Sequence, residues 1–158
     1  AAASDMAREA MPLPQAWSSC SAGMQVINLD GNVLEGWGEV EALARLPALR
    51  SLSLNDNQIP RVFAPPAGGF AALACLLMGR NQLAAWEDVD ALATFPSLTE
   101  CRVTDNPLTK DNPSHSRFEA IARVSTLLRL NGSPVTEMER RGSEGRDLRV
   151  VGTNAARG

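Results

Sequence analysis

The chain has 158 residues, enough for one domain with a sizeable core, and a net charge of −3 with an isoelectric point near 5.2. That acidity gives no global reason to expect nucleic acid, and no apolar run approaches the roughly 18 residues that span a bilayer. Cys20, Cys75 and Cys101 are odd in number and lack metal or disulfide spacing, which points to a reducing, intracellular setting.

The chain opens on Ala-Ala-Ala rather than Met, as a piece of a longer protein would, and shows no signal peptide over Ala1–Cys20. Ala1–Met11 reads as a short helix that Pro12 and Pro14 stop, so residues 1–23 are expected to form an N-terminal cover for the domain.

From Met24 one pattern recurs. Met24-x-x-Ile27-x-Leu29-x-x-Asn32-x-Leu34 is followed by Leu49-x-x-Leu52-x-Leu54-x-x-Asn57-x-Ile59. Leu73-x-x-Leu76-x-Met78-x-x-Asn81-x-Leu83 and Leu98-x-x-Cys101-x-Val103-x-x-Asn106-x-Leu108 come next, the asparagines standing 25, 24 and 25 residues apart. Apolar and polar residues alternate within each unit, as in a strand with one buried face. The asparagine then turns the chain, because its amide can satisfy backbone groups that the turn leaves unpaired. One such unit cannot bury its face alone, so four in phase specify a leucine-rich-repeat solenoid. A fifth, degraded copy is read as Leu128-x-Leu130-x-x-Ser133-x-Val135. The expected fold is α/β: a curved parallel sheet of strands Val26–Leu29, Ser51–Leu54, Cys75–Met78, Glu100–Val103 and Leu127–Leu130 over residues 24–135.

The connecting segments cross the convex side. Trp37-x-x-Val40-x-x-Leu43-x-x-Leu46-Pro47 and Trp86-x-x-Val89-x-x-Leu92-x-x-Phe95-Pro96 match, with apolar residues at helical spacing and a terminating proline. Arg61–Phe70, carrying Pro65, Pro66, Gly68 and Gly69, is expected to be irregular. Asn112–Val124 regains helical character, with Phe118, Ile121 and Val124 as its apolar stripe. Thr136-x-x-Glu139 is a capping box, opening an expected cap helix over 136–147, and residues 148–158 have little to bury.

Three features together resemble the tubulin-folding cofactor E family. They are the Trp-x-x-Val crossings at Trp37 and Trp86, the Asp105-Asn106-Pro107-Leu108 turn, and the ending Leu128-Arg-Leu-Asn131-Gly-Ser-Pro-Val with Glu139-Arg140-Arg141-Gly142 after it. The resemblance covers Met24 to about Asp147. It implies a domain that binds α-tubulin during assembly or disassembly of the tubulin heterodimer, in the cytoplasm and with the cytoskeleton. Fuller members of that family also carry a glycine-rich microtubule-binding domain before the repeats and a ubiquitin-like domain after them.

Stacked repeats make the concave face readable as rows. The candidate partner-binding residues there are Asn28, Ser53, Asn55, Leu77, Arg80, Glu100, Arg102, Thr104, Arg129 and Asn131. Strands lie about 4.8 Å apart, so Asp56, Arg80 and Asp105 should alternate as a charge ladder. Arg102 and Arg129 are expected as neighbours with only Glu100 close by, an arrangement either simply solvated or suited to an acidic partner. His115 is the single histidine and stands in a polar loop without a paired nucleophile, so an enzyme is not expected, nor is a cofactor or a metal. The reading is a monomeric domain whose partner is a protein, α-tubulin by the resemblance, and neither nucleic acid nor membrane. An axonemal or signalling scaffold using the same face, or an enzyme-regulating subunit, is the alternative.

Overall fold

A computed structural model describes residues 22–143. Residues 1–21 of the expected 1–23 cover, residues 144–147 of the expected cap helix and the expected tail over 148–158 lie outside the described residues. Five short strands succeed one another: β1 (Val26–Asn28), β2 (Ser51–Ser53), β3 (Cys75–Leu77), β4 (Glu100–Arg102) and β5 (Arg129–Leu130). They pair in chain order and in parallel, and a sixth strand, β6 (Ser133–Pro134), closes the sheet antiparallel to β5. The crossings carry α1 (Trp37–Glu41), continued by a 3₁₀ turn over Ala42–Arg45, then α2 (Trp86–Leu92), α3 (Pro107–Lys110) and α4 (Pro113–Arg123). A last helix, α5, runs over 137–143. The segment between β2 and β3 has no helix, as its prolines and glycines require.

The leucine pattern builds one core along the stack. Leu52, Leu76, Cys101 and Leu130, the inward residues of successive strands, are all buried, as are Leu54, Met78 and Val103 where the strands end. On the convex side Trp37, Phe70 and Phe95 pack together, with ring centroids 5.5–6.3 Å apart.

The turn asparagines tie each repeat to the one before. Asn57 Nδ2 donates to the carbonyls of Leu29 and Leu54, both at 3.0 Å, while its Oδ1 accepts from Asn32 N and Leu34 N at 3.0 and 2.9 Å. Asn81 donates to Leu54 and Met78, and Asn106 to Met78 and Val103. These carbonyls close the ends of the strands, and each of the first four strands is a residue shorter than the alternation predicts. Asn32 keeps the bond to the carbonyl two residues back, Asp30, but has no bond to a preceding repeat among the described residues, and it is exposed.

The fifth repeat is in a different register from the one expected. Arg50 O accepts from Ala74 N and Cys75 N, Ala74 O from Thr99 N and Glu100 N, and Thr99 O from Leu128 N and Arg129 N. Leu127 is therefore the counterpart of Leu49, Leu73 and Leu98, and it is buried, whereas Leu128 is 66% exposed. The strand starts two residues later than expected because Asn131-Gly132 forms a hairpin turn. Both residues have positive φ, +54° and +87°, the geometry of the tight Asn-Gly turn between antiparallel strands. Ser133 is consequently not a turn residue of the repeat but the partner of Leu130 in β6. Pro134 fits there, since an edge strand need not donate to a neighbour.

Candidate functional site

The open face of the sheet is where the repeats present side chains that the core does not use. Pairing fixes the rows. Val26, Ser51, Cys75, Glu100 and Arg129 form one; Asn28, Ser53, Leu77 and Arg102 form the next. Asn131, the residue after the Leu130 partner of Cys101, continues the second row.

This register corrects the expectation for the arginines. Arg129 stands opposite Glu100, with Nε 3.6 Å from Glu100 Oε1, and its Nη2 donates to Gly132 O at 3.0 Å. Arg102 and Arg129 are thus in different rows, and Arg129 has a carboxylate of its own. The two arginines are diagonal rather than direct neighbours, and Glu100 stands beside Arg129.

The N-terminal half of the face satisfies itself. Asp30 Oδ1 accepts from Ser53 Oγ at 2.6 Å and from Asn55 N at 2.8 Å, Asn55 Nδ2 donates to Ser53 Oγ, and Asn55 Oδ1 accepts from Gly79 N. Asn28 Oδ1 accepts from Asp30 N. Asn28, Ser53 and Asn55 are therefore committed to the protein's own structure.

At the carboxyl ends of the strands the turns form a polar depression of about 280 Å³, floored by Gly79 and Thr104 and walled by Asp30, Asn55, Asp56, Arg80, Arg102 and Asp105. The expected ladder is present: Arg80 lies 3.4 Å from Asp56 and 3.9 Å from Asp105. Each of these three residues also occupies the left-handed backbone region, with φ of +58°, +55° and +56° for Asp56, Arg80 and Asp105. Asp tolerates that region because its short carboxylate can bond locally; a long side chain has no such help. Arg80 is therefore held in a strained turn between two acids.

Arg102 is different. Its chain crosses Gly79, where a Cβ would stand 3.0 Å from Arg102 Cδ, and its guanidinium reaches toward the hairpin, where a Cβ on Gly132 would stand 3.2 Å from Nη2. Its Nε is buried and has no hydrogen-bond partner. Leu77, half-buried, is its register partner on β3.

Elsewhere on the face, burial pushes the Cys75 thiol upward, with Ser51 hydrogen-bonded to it in opposition. Cys101, on the core side, is driven to about 12 by burial. In both, burial works against the thiolate form. Among the described residues no group of His, Cys, Asp or Glu could hold a metal ion. His115 N donates to the Asn112 side chain at the start of α4, a helix-capping bond.

The convex tryptophans both pack against the protein's own side chains. Trp37 is buried, and Trp86 is covered by Arg123, whose guanidinium carbon lies 5.4 Å from the ring while its nitrogens bond Asp90 and Glu119, both at 2.8 Å. Sequence reasoning missed Asp88. This carboxylate is fully buried at the start of α2, where Oδ1 accepts from Arg61 Nε at 2.9 Å and Val62 N at 3.0 Å, pinning the irregular crossing to the next helix.

The cap explains the Glu139-Arg140 pair. Thr136 Oγ1 accepts from Glu139 N, and Glu139 Oε2 accepts from Thr136 N. Glu139 also receives Arg117 Nε at 2.7 Å, and the Arg117 hydrogen bond, followed by that from Thr136 N, lowers its carboxyl to about 2. Arg140 donates to the carbonyls of Ile121 at 2.7 Å and Leu127 at 2.6 Å, ending α4 and bracing the last repeat.

A chain of this architecture and cap is 36% identical over 138 residues to tubulin-folding cofactor E of Arabidopsis thaliana. The chain is homologous to tubulin-folding cofactor E. The match takes in 81% of this chain and 26% of that relative, so the chain spans about a quarter of the relative's length. No family model matches it. Among solved structures, a chain of the Drosophila melanogaster SNF/U2A′ complex aligns with a TM-score of 0.71 at 20% identity, covering 87% of this chain and 76% of that one. A chain of the Chaetomium Mex67:Mtr2 structure gives a TM-score of 0.55, again at 20% identity, over 82% and 97% of the two chains. These likenesses show the leucine-rich-repeat fold. Among the described residues no helix is long and apolar enough to cross a membrane.

Proposed function

We propose that this chain is a protein-binding domain that captures α-tubulin on the concave sheet face during assembly or disassembly of the tubulin heterodimer. The homology to tubulin-folding cofactor E carries the choice of partner. The location rests on the free side chains of the concave face: Leu77 and Arg102 lie side by side near its centre and are not used by the protein's own network. The domain acts as a stoichiometric binder in the cytoplasm, without turnover or cofactor. Its monomeric state and cytoskeletal association belong to the same proposal.

The test is retention of α/β-tubulin by the immobilised 158-residue chain. Binding that weakens as salt rises is the expected result, because the tubulin surface is acidic and exposed charges are screened over about 10 Å at 0.1 M salt. A chain that is folded by melting yet retains no tubulin would exclude this partner and leave another protein as the target of the face.

A further inference from the structure

We propose that Arg102 is the carboxylate anchor of the concave face, taking an acidic side chain from a protein segment that lays an apolar residue over Leu77. This deepens the reading above and rests on it for the partner. Of the ionised side chains around the depression, Arg102 alone makes neither hydrogen bond nor ion pair among the described residues. Arg80 is held by Asp56 and Asp105, Asp30 by Ser53 and Asn55, and outside the depression Arg129 is paired with Glu100.

Two glycines shape the place of Arg102. Gly79 leaves room for its methylenes, and Gly132 lies under the far end of the guanidinium. A side chain at either position would press on it. The guanidinium carries a planar fork of donors that matches a carboxylate through two parallel N–H···O bonds. Nε is buried against the protein itself, so the two terminal nitrogens, which no hydrogen bond among the described residues engages, are the donors left for an incoming carboxylate. Leu77, opposite Arg102 in the register, supplies apolar contact next to the charge, the pairing that marks interface centres.

The experiment compares the wild-type chain with Arg102→Ala, Arg102→Lys and Arg129→Ala, titrated against α/β-tubulin and against a poly-glutamate peptide. Thermal melting of each variant establishes that it is folded. Arg102→Ala should weaken tubulin binding at least tenfold, about 1.4 kcal/mol. Arg102→Lys should recover only part of this, because an ammonium is a point charge without the fork. Arg129→Ala should change affinity less than threefold. Wild type binding tubulin with Arg102→Ala equally tight would overturn the anchor and leave the tubulin proposal standing. Poly-glutamate binding that depends on Arg102, without tubulin binding, would retain the anchor and exclude the partner. Failure of the wild-type chain to bind either probe would overturn both.

Discussion

Asn57, Asn81 and Asn106 each do two jobs, closing a turn and accepting or donating across the repeat boundary. Truncating Asn57 strands the amides of Asn32 and Leu34 and the carbonyl of Leu29 in a part-buried setting, while the Leu54 carbonyl keeps its bond from Asn81. Several unsatisfied groups at about 1 kcal/mol each put the cost of Asn57→Ala near 3 kcal/mol. Asn32→Ala, at the exposed first turn, should cost under about 1 kcal/mol by the same count. Urea unfolding of both variants measures the difference, and equal costs would mean that the ladder is not what stabilises the turns. Arg80 gives a second residue-scale outcome. Arg80→Gly removes two exposed ion pairs, together about 1 kcal/mol at most, and relieves a left-handed arginine of about the same cost. Its unfolding free energy should therefore stay within about 1 kcal/mol of wild type. A much larger loss would show that the ladder contributes far more than exposed pairs do. Asp88 is hidden from sequence reading for a plain reason. Glu87 and Asp88 both open α2, and nothing in their identity says which one turns inward to meet Arg61 and Val62.

At the scale of elements, the in-phase repeats make the first four strands, the two tryptophan crossings and the irregular crossing legible. Their periodicity is the physical cause of the stack. The fifth strand is displaced by two residues from its expected place because Leu128 and Leu130 imitate the repeat spacing. Asn131-Gly132 is a strong hairpin signal that outweighs it. That displacement separates Arg129 from Arg102 and dissolves the apparent arginine pair, so the site is legible only as far as the register is. The cap, by contrast, is a network whose energetics can be read by pH. Glu139 is held well below its usual carboxylate range by Arg117 and Thr136. Its folded carboxyl at about 2 lies under the ordinary 4.5, so its contribution is fully present above 4.5 and is lost as pH falls from there through 2. Glu139→Gln should lower the melting temperature at pH 6 and flatten the acid limb of the melting curve. An unchanged acid limb would mean that another group sets it. Arg140→Ala should be worse, by about 2–3 kcal/mol, since it uncovers carbonyls at the end of α4 and before β5.

At the scale of the whole molecule, one side of the sheet is spent on the core and the other is left open with Leu77 and Arg102 near its middle. On the convex side Trp37, Phe70 and Phe95 are buried and Trp86 is covered by Arg123, while Phe63 is exposed beside Arg61, which is already bonded to Asp88. Docking of the partner on the concave face is tested most directly by Leu77→Glu. A glutamate at 77 stands opposite Arg102 in the register and supplies a carboxylate from within the protein, occupying the anchor while removing the apolar contact. Titrations of wild type, Leu77→Glu and Ala93→Glu against α/β-tubulin should give at least a tenfold loss for Leu77→Glu. Ala93→Glu, on the exposed end of α2, should bind as wild type does. Full affinity for Leu77→Glu alongside a loss for Ala93→Glu would put the interface on the convex side and contradict docking on the concave face.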